Sequence, residues 1–229
     1  LFDTSTGQAK KLDIDIHRNS IYQVIAHKGY YYLDVPNKLY QVNANNLITK
    51  LLSDNINIRT LKFTDNFVYI SSSDGLYQFD GETLQLLVSG EIAAIETIAN
   101  KVIYASANKI TILSDNGIKR SIAIEDKILA LTKSNTEKYF YSVDRHGKIK
   151  KYIVDRLTKV AHAYPNTKQT YIEKLFHDDS GVLWVISNHG IEQLIPSMSQ
   201  NIPLVFDVFL NSITLTAHND NIIVGSYGA

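Results

Sequence analysis

Short apolar segments separated by polar turns run along the whole chain, and residues 171–195 show this pattern most clearly. The segment 172–176 predicts a first strand. The segment 182–187 is nearly all apolar, which is typical of a strand covered on both faces, and 191–195 predicts a third strand. Asp and Asn side chains with a following Gly form tight turns at 178–181 and 188–190. The pattern therefore predicts antiparallel strands joined by hairpins.

The residue that opens the third strand of this unit recurs along the chain at a near-constant spacing. The corresponding residues are Leu39, Leu76, Ile110, Ile149 and Ile191, at intervals of 37, 34, 39 and 42 residues. A repeat of this length with four short strands is typical of a β-propeller blade. We name the four strands of a blade a, b, c and d in chain order.

The repeat predicts one all-β domain over 1–229, a β-propeller of about six four-stranded blades. The predicted parts are a half blade at 1–16, blades at 21–52, 58–88, 92–124, 128–163 and 171–209, and a half blade at 212–229. The a strands are expected to begin near Ile21, Ile58, Ile92, Ile128, Ile172 and Ile213. Two arrangements fit. In one, both termini share the last blade and close the ring, which removes exposed sheet edges; in the other, the chain is a fragment of a longer array.

One copy of the repeat also carries a family motif. Its residues are Asp178 or Asp179, Gly181, Leu183, Trp184, Val185, Ser187, Gly190 and Ile191. They follow the consensus D-x-x-G-x-L-W-h-x-S/T-x-x-G-h, in which x is any residue and h is a hydrophobic residue. This segment resembles the two-component regulator propeller repeat. The resemblance implies the periplasmic sensor region of a membrane-anchored signalling protein, with a histidine kinase, hybrid kinase or diguanylate cyclase as output. We expect Trp184 to be buried between blades.

Composition narrows the classes of partner. The chain has 23 basic and 23 acidic residues, so no net field favours nucleic acid, and we expect no nucleic-acid partner. It has no cysteine, which excludes a disulfide framework, a thiolate metal site and a Cys nucleophile. The sequence begins at Leu1 without Met or a signal peptide, so we expect it to be a segment of a longer protein.

The turns between strands b and c, here called the b–c turns, are the candidate ligand site. In a propeller these turns meet at one rim, and here they offer hydrogen-bonding groups, a cation, imidazoles and an aromatic ring. We predict a polar small molecule or oligosaccharide as ligand. The candidate ligand-binding residues are Asp74, Arg145, His146, Asn188, His189 and Tyr227. Asn and Asp are also common turn formers, so Arg145, His146 and His189 are the more informative members.

No motif of a catalytic site or a phosphate-binding loop is present, and no two His have metal-ligand spacing. We therefore predict no catalytic residue, metal or cofactor, and a segment that is not itself an enzyme. A protein partner or homodimer is the other form of partner considered. Two alternatives stay open at this stage: a propeller lyase or glycan-active hydrolase using His146 and His189, and a scaffold propeller for protein interaction.

Overall fold

The computed structural model describes residues 2–3, 8–9, 21–45, 47–160, 167, 171–195, 198–202, 213–218 and 221–226. All regular structure in these residues is β-strand. Within the same ranges, no helix is long and apolar enough to span a membrane. The chain divides into two compact units, one made of Leu1–Phe63 with Phe67–Ser89 and the other of Thr64–Asn66 with Gly90–Ala229.

The first unit contains a two-stranded pair and two four-stranded sheets. The pair is β1 (Phe2–Asp3) and β2 (Gln8–Ala9); the first sheet is β3 (Gln23–His27), β4 (Tyr30–Val35), β5 (Lys38–Asn43) and β6 (Thr49–Ser53); the second is β7 (Ile58–Phe63), β8 (Val68–Ser72), β9 (Gly75–Phe79) and β10 (Leu84–Ser89). Each strand pairs antiparallel with the next in sequence within its sheet. Each sheet is thus a four-stranded meander, as expected for a blade.

The second unit repeats this meander three times and ends in a further strand pair. Its sheets are β11 (Ala94–Ile98), β12 (Lys101–Ser106), β13 (Lys109–Ser114) and β14 (Lys119–Ala123); β15 (Ile128–Lys133), β16 (Tyr139–Asp144), β17 (Ile149–Ile153) and β18 (Thr158–Val160); and β19 (Ile172–His177), β20 (Leu183–Ser187), β21 (Gly190–Ile195) and β22 (Met198–Ile202). The final pair is β23 (Ile213–His218) and β24 (Asn221–Ser226).

The apolar pattern explains which strands form the core. Strands b are central and are buried on both faces in β8 and β20, whereas the d strand β14 is largely exposed. In the second unit, one apolar cluster joins the sheets β11–β14 and β15–β18, and another joins β15–β18 and β19–β22. Apolar packing between successive sheets therefore holds this unit together.

The predicted repeat register is confirmed. The residues that open the c strands, Leu39, Leu76, Ile110, Ile149 and Ile191, are at most 5% exposed. Strands β7, β15, β19 and β23 begin at the predicted isoleucines, and β3 and β11 begin two residues after theirs. The all-β class and the four-stranded blades are confirmed as well. The single-domain assignment and ring closure stay predictions, and the predicted outer strand within 10–16 lies outside the described residues.

Strand b carries an aromatic residue opposite a polar residue of strand c in every complete sheet. The cross-strand pairs are Tyr32 with Gln41, Tyr69 with Gln78, Tyr104 with Thr111, Tyr141 with Lys151, and Trp184 with Gln193. In the first two sheets the Gln Nε2 donates to the Tyr hydroxyl, at 3.0 and 3.1 Å. The Trp of the motif is therefore one member of a repeated aromatic position.

Candidate ligand-binding turns

A side-chain oxygen at the end of strand b closes several of the b–c turns. Ser72 Oγ accepts the backbone N–H of Gly75 at 2.9 Å, and Ser187 Oγ accepts that of His189 at 3.2 Å. In the sheet β15–β18, Asp144 makes the corresponding hydrogen bonds. Its Oδ1 accepts the N–H groups of His146 and Lys148, each at 3.0 Å. These Ser and Asp residues thus shape the turns through local hydrogen bonds.

The turn after Asp144 presents two candidate residues to solvent. Asp144 is fully buried, whereas the Arg145 and His146 side chains are each 63% exposed. The backbone N–H of Arg145 donates to the carbonyl of Lys127, at 3.1 Å, and ties this turn to the segment that leads into β15. The buried carboxylate therefore anchors a turn whose cation and imidazole point outward.

Asp126 joins Arg145 and His146 into a small charged cluster. Asp126 Oδ1 lies 3.4 Å from Arg145 Nη2 and 3.3 Å from His146 Nε2, and Arg145 Nε lies 3.2 Å from the same imidazole nitrogen. That nitrogen accepts from Arg145 when it is unprotonated and donates to Asp126 when it carries a proton. The two imidazole contacts are thus alternatives, and part of the hydrogen-bonding capacity of Arg145 remains available to a ligand.

Asn188 and His189 occupy the b–c turn between β20 and β21, and both are exposed. No hydrogen bond, ion pair or ring contact among the described residues joins them to Arg145 or His146. The fold therefore supplies two separate exposed polar turns on neighbouring sheets of the second unit. Tyr227, the predicted stacking residue, lies outside the described residues.

Asp74 belongs to the first unit, in the turn between β8 and β9. The Ser72 hydroxyl donates to Asp74 Oδ1, and the Tyr77 hydroxyl donates to Oδ2 at 2.6 Å. These two bonds hold the pKa of the Asp74 carboxyl below its usual range, against a smaller opposing effect of burial. Both carboxylate oxygens are thus engaged within their own hairpin, which favours a structural role for Asp74.

Sequence reasoning missed Asp126 and the buried pair beneath the turn. Lys150 Nζ lies 3.9 Å from Asp144 Oδ2, and their side chains are only 5% and 0% exposed. A Lys at the start of a c strand could have been noticed, because the equivalent residues in the first two sheets are Tyr40 and Tyr77. In the described part of the chain, no group of three or more His, Asp or Glu side chains is arranged to hold a metal ion.

Comparison with solved structures places this geometry in a known fold. The extracellular domain of a protein from B. thetaiotaomicron, named as a hybrid two-component system, matches with 18% identity and a TM-score of 0.71. The match covers 91% of this chain and 32% of that one, so the chain spans about a third of that domain. A second structure of the domain, named as a one-component system, matches with 16% identity, a TM-score of 0.68 and the same coverages.

A eukaryotic structure matches as well. Hsv2 from Kluyveromyces lactis has 11% identity and a TM-score of 0.71, and the match covers 87% of this chain and 75% of that one. No family model matches the chain, and no curated protein does. The similarities confirm the β-propeller fold class and the resemblance to propellers of two-component signalling proteins. The chain is therefore a β-propeller chain similar in structure to an extracellular domain of a bacterial two-component protein.

Proposed function

We propose that the chain is a sensing or interaction propeller in the extracytoplasmic region of a transmembrane two-component signalling protein. The observation that carries this proposal is the match of 91% of the chain to such an extracellular domain at a TM-score of 0.71. The motif from Asp178 to Ile191 supports it independently, because the motif is a property of the sequence and does not depend on the structural match. The region lies in the periplasm and is non-catalytic itself, and its output lies in another part of the protein.

The parent open reading frame tests the signalling class directly. A transmembrane segment and a histidine kinase, hybrid kinase or diguanylate cyclase domain after this propeller would support the proposal. An open reading frame that encodes a secreted enzyme, or only further propeller blades, would contradict it.

The exposed b–c turns of the second unit are the proposed ligand site. Arg145 supplies a guanidinium that suits a carboxylate, as on an acidic sugar, and His146, Asn188 and His189 add donors and acceptors. The buried Asp144 holds the first of these turns in place through two backbone N–H groups. A rigidly held polar turn loses little conformational freedom when it binds a ligand. The preferred ligand is therefore a polar small molecule or an oligosaccharide.

Titration calorimetry with a panel of neutral and acidic oligosaccharides tests this site. Binding by the wild type that is lost in Arg145→Ala with His189→Ala supports it. Arg156→Ala is the matched control, because this exposed Arg lies in the turn between β17 and β18, at the other end of the sheet. Binding that survives the double substitution would remove these turns as the site. Absence of any binding would favour a protein partner or homodimer, and turnover of a glycan would favour the enzyme alternative.

A further inference from the structure

A cavity lies at the end of the second unit's sheets that is opposite to the b–c turns. Its lining combines apolar and charged side chains. It measures about 380 Å³ and lies between the sheet β11–β14 and the turn that follows β17. This volume is at the lower end of the range for small-molecule sites. The b–c turns leave the sheets at their other ends, so the cavity is separate from the ligand site proposed above and does not depend on it.

The floor of the cavity is apolar. Ile112 and Val154 are each 4% exposed and belong to the cluster that joins the two sheets, so the cavity opens at the edge of a packed core. Ile118, which also lines it, is 54% exposed. A large apolar side chain exposed next to an apolar floor gives a ligand apolar surface to bury.

Two cations stand at the wall above this floor, and one of them lacks a compensating carboxylate. Lys101 Nζ pairs with Asp155 Oδ1 at 3.1 Å. Arg120 donates through Nη1 to the backbone carbonyl of Asp155, which is a neutral acceptor. Among the described residues no carboxylate lies within ion-pair distance of Arg120. Two cations and one carboxylate give the lining a net charge of +1.

The position of Arg120 over the floor follows from strand pairing. Arg120 of β14 lies directly opposite Ile112 of β13, and directly opposed residues project from the same face of a sheet. The backbone carbonyl of Asp155 accepts a hydrogen bond from Nη1 of the Arg120 guanidinium. The N–H donors on the other guanidinium nitrogens remain for a ligand. The cation and the apolar floor are therefore presented together.

We propose that this cavity binds a small organic anion, a carboxylate carried on an apolar body. The carboxylate contacts Arg120 and competes with Asp155 for Lys101, and the apolar body rests on Ile112 and Val154. Neither a purely polar sugar nor an uncharged hydrocarbon would use both halves of the lining. Asp155 acts as an internal competitor, because its side chain is 84% exposed and occupies Lys101 in the absence of ligand.

Naphthoate is the test ligand, and uncharged naphthamide is its matched control. An amide chemical-shift titration should give a naphthoate dissociation constant on the order of 1 mM, as the binding energy per atom of small ligands indicates. Naphthamide should bind at least about fivefold more weakly, since it lacks the charge. Equal affinity for the two ligands, or no naphthoate binding at about 10 mM, ten times that constant, would overturn the proposal.

Two substitutions at exposed positions should change the affinity for naphthoate in opposite directions. Arg120→Gln should weaken naphthoate binding about five- to tenfold, the loss expected for a charge-assisted hydrogen bond. Asp155→Asn should tighten it about two- to fivefold, because a weak exposed ion pair no longer competes for Lys101. Arg156→Gln, which removes a cation next to Asp155 but outside the cavity lining, should change nothing. Unchanged binding in Arg120→Gln, or weaker binding in Asp155→Asn, would contradict the assignment.

Discussion

The indole Nε1–H of Trp184 donates a hydrogen bond of 2.8 Å to Oδ2 of Asp178 across the hairpin that joins β19 and β20. The other carboxylate oxygen accepts the Ser180 hydroxyl at 2.7 Å and the Val182 N–H at 2.8 Å. Gly181 adopts a φ of 88° and returns its N–H to the Asp178 carbonyl. The Asp, Gly and Trp of the repeat motif are thus members of one hydrogen-bonded hairpin, which explains their fixed spacing.

Substitution of Trp184 should separate the packing of the ring from its hydrogen bond. Trp184 is 8% exposed and packs with Ile186 and Ile191 of its own sheet. Trp184→Ala should lower the free energy of unfolding by about 3–5 kcal/mol, as loss of a large core side chain does. Trp184→Phe should lower the free energy of unfolding by about 1.5–3 kcal/mol, because the hydrogen bond to a charged group is lost. Urea unfolding followed by circular dichroism measures both, since either change removes the only Trp.

A double-mutant cycle of Trp184→Phe with Asp178→Asn should show a coupling energy, because the two groups contact each other directly. Asp179→Asn changes an exposed neighbour in the same turn and should alter the free energy of unfolding by no more than about 0.5 kcal/mol. Additive effects of the two motif substitutions would show that the hairpin does not depend on this bond.

The Asp178 carboxyl should make part of the stability sensitive to acid. Burial raises its pKa, but hydrogen bonds from Trp184, Ser180 and Val182 outweigh burial and leave the pKa below its ordinary value of 3.8. A carboxyl whose pKa is lower in the folded state stabilises the protein above its unfolded pKa, and this contribution is lost as pH falls through the folded pKa. The stability advantage of wild type over Asp178→Asn should therefore be constant near neutrality and shrink below pH 3.8. An advantage independent of pH would contradict this.

The strand pattern could be predicted from sequence because each sheet is local. Within each four-stranded sheet every strand pairs with the next one in sequence, so apolar segments, turn residues and the repeat spacing contain the information that sets the register. Leu39 and Ile191 could be aligned for this reason. The aromatic residue of strand b could have been aligned too: Tyr32, Tyr69 and Trp184 each stand seven residues before the residue that opens strand c.

The surroundings of the candidate site could not be predicted in the same way. Asp126 contacts Arg145 only because the segment before β15 and the b–c turn of the same sheet lie at one end of that sheet. Lys150 would be expected to face solvent, since Lys is rarely buried. It is instead buried next to the Asp144 carboxylate, which is buried as well. Both relationships depend on particular side-chain pairs that the repeat pattern does not specify.

Gly75 should be intolerant of even a methyl group, although its φ lies outside the left-handed region. A Cβ at this position would contact Leu86 Cδ1 and lie 2.6 Å from the backbone oxygen of Val88, where β10 shifts register against β9. Gly75→Ala should therefore lower the free energy of unfolding by about 1–3 kcal/mol, as overpacking does. Adding Leu86→Ala should restore only part of this, because the contact with the Val88 oxygen remains. Full restoration in the urea titration would show that the side chain alone was responsible.

Asp34, a buried carboxyl of β4, should weaken the fold as pH rises. Asp34 is 5% exposed, and burial raises its pKa from 3.8 to about 7. A carboxyl with a raised folded pKa contributes its stabilisation fully below the unfolded pKa and loses it as pH rises through the folded pKa. The loss should thus occur between pH 3.8 and about 7. The difference between these pKa values limits it to at most about 4 kcal/mol.

Asp34→Asn keeps the shape of the side chain but removes its titration. The stability of the variant relative to wild type should therefore increase between pH 4 and pH 8, by at most the limit of about 4 kcal/mol. Asp54→Asn removes an exposed carboxyl of the same unit and controls for the change in net charge. This dependence has the opposite sign to that of Asp178, so urea titrations at several pH values distinguish the two groups. A stability difference between wild type and Asp34→Asn that stays constant from pH 4 to pH 8 would contradict the prediction. It would show that burial does not raise the pKa of Asp34 in the folded protein.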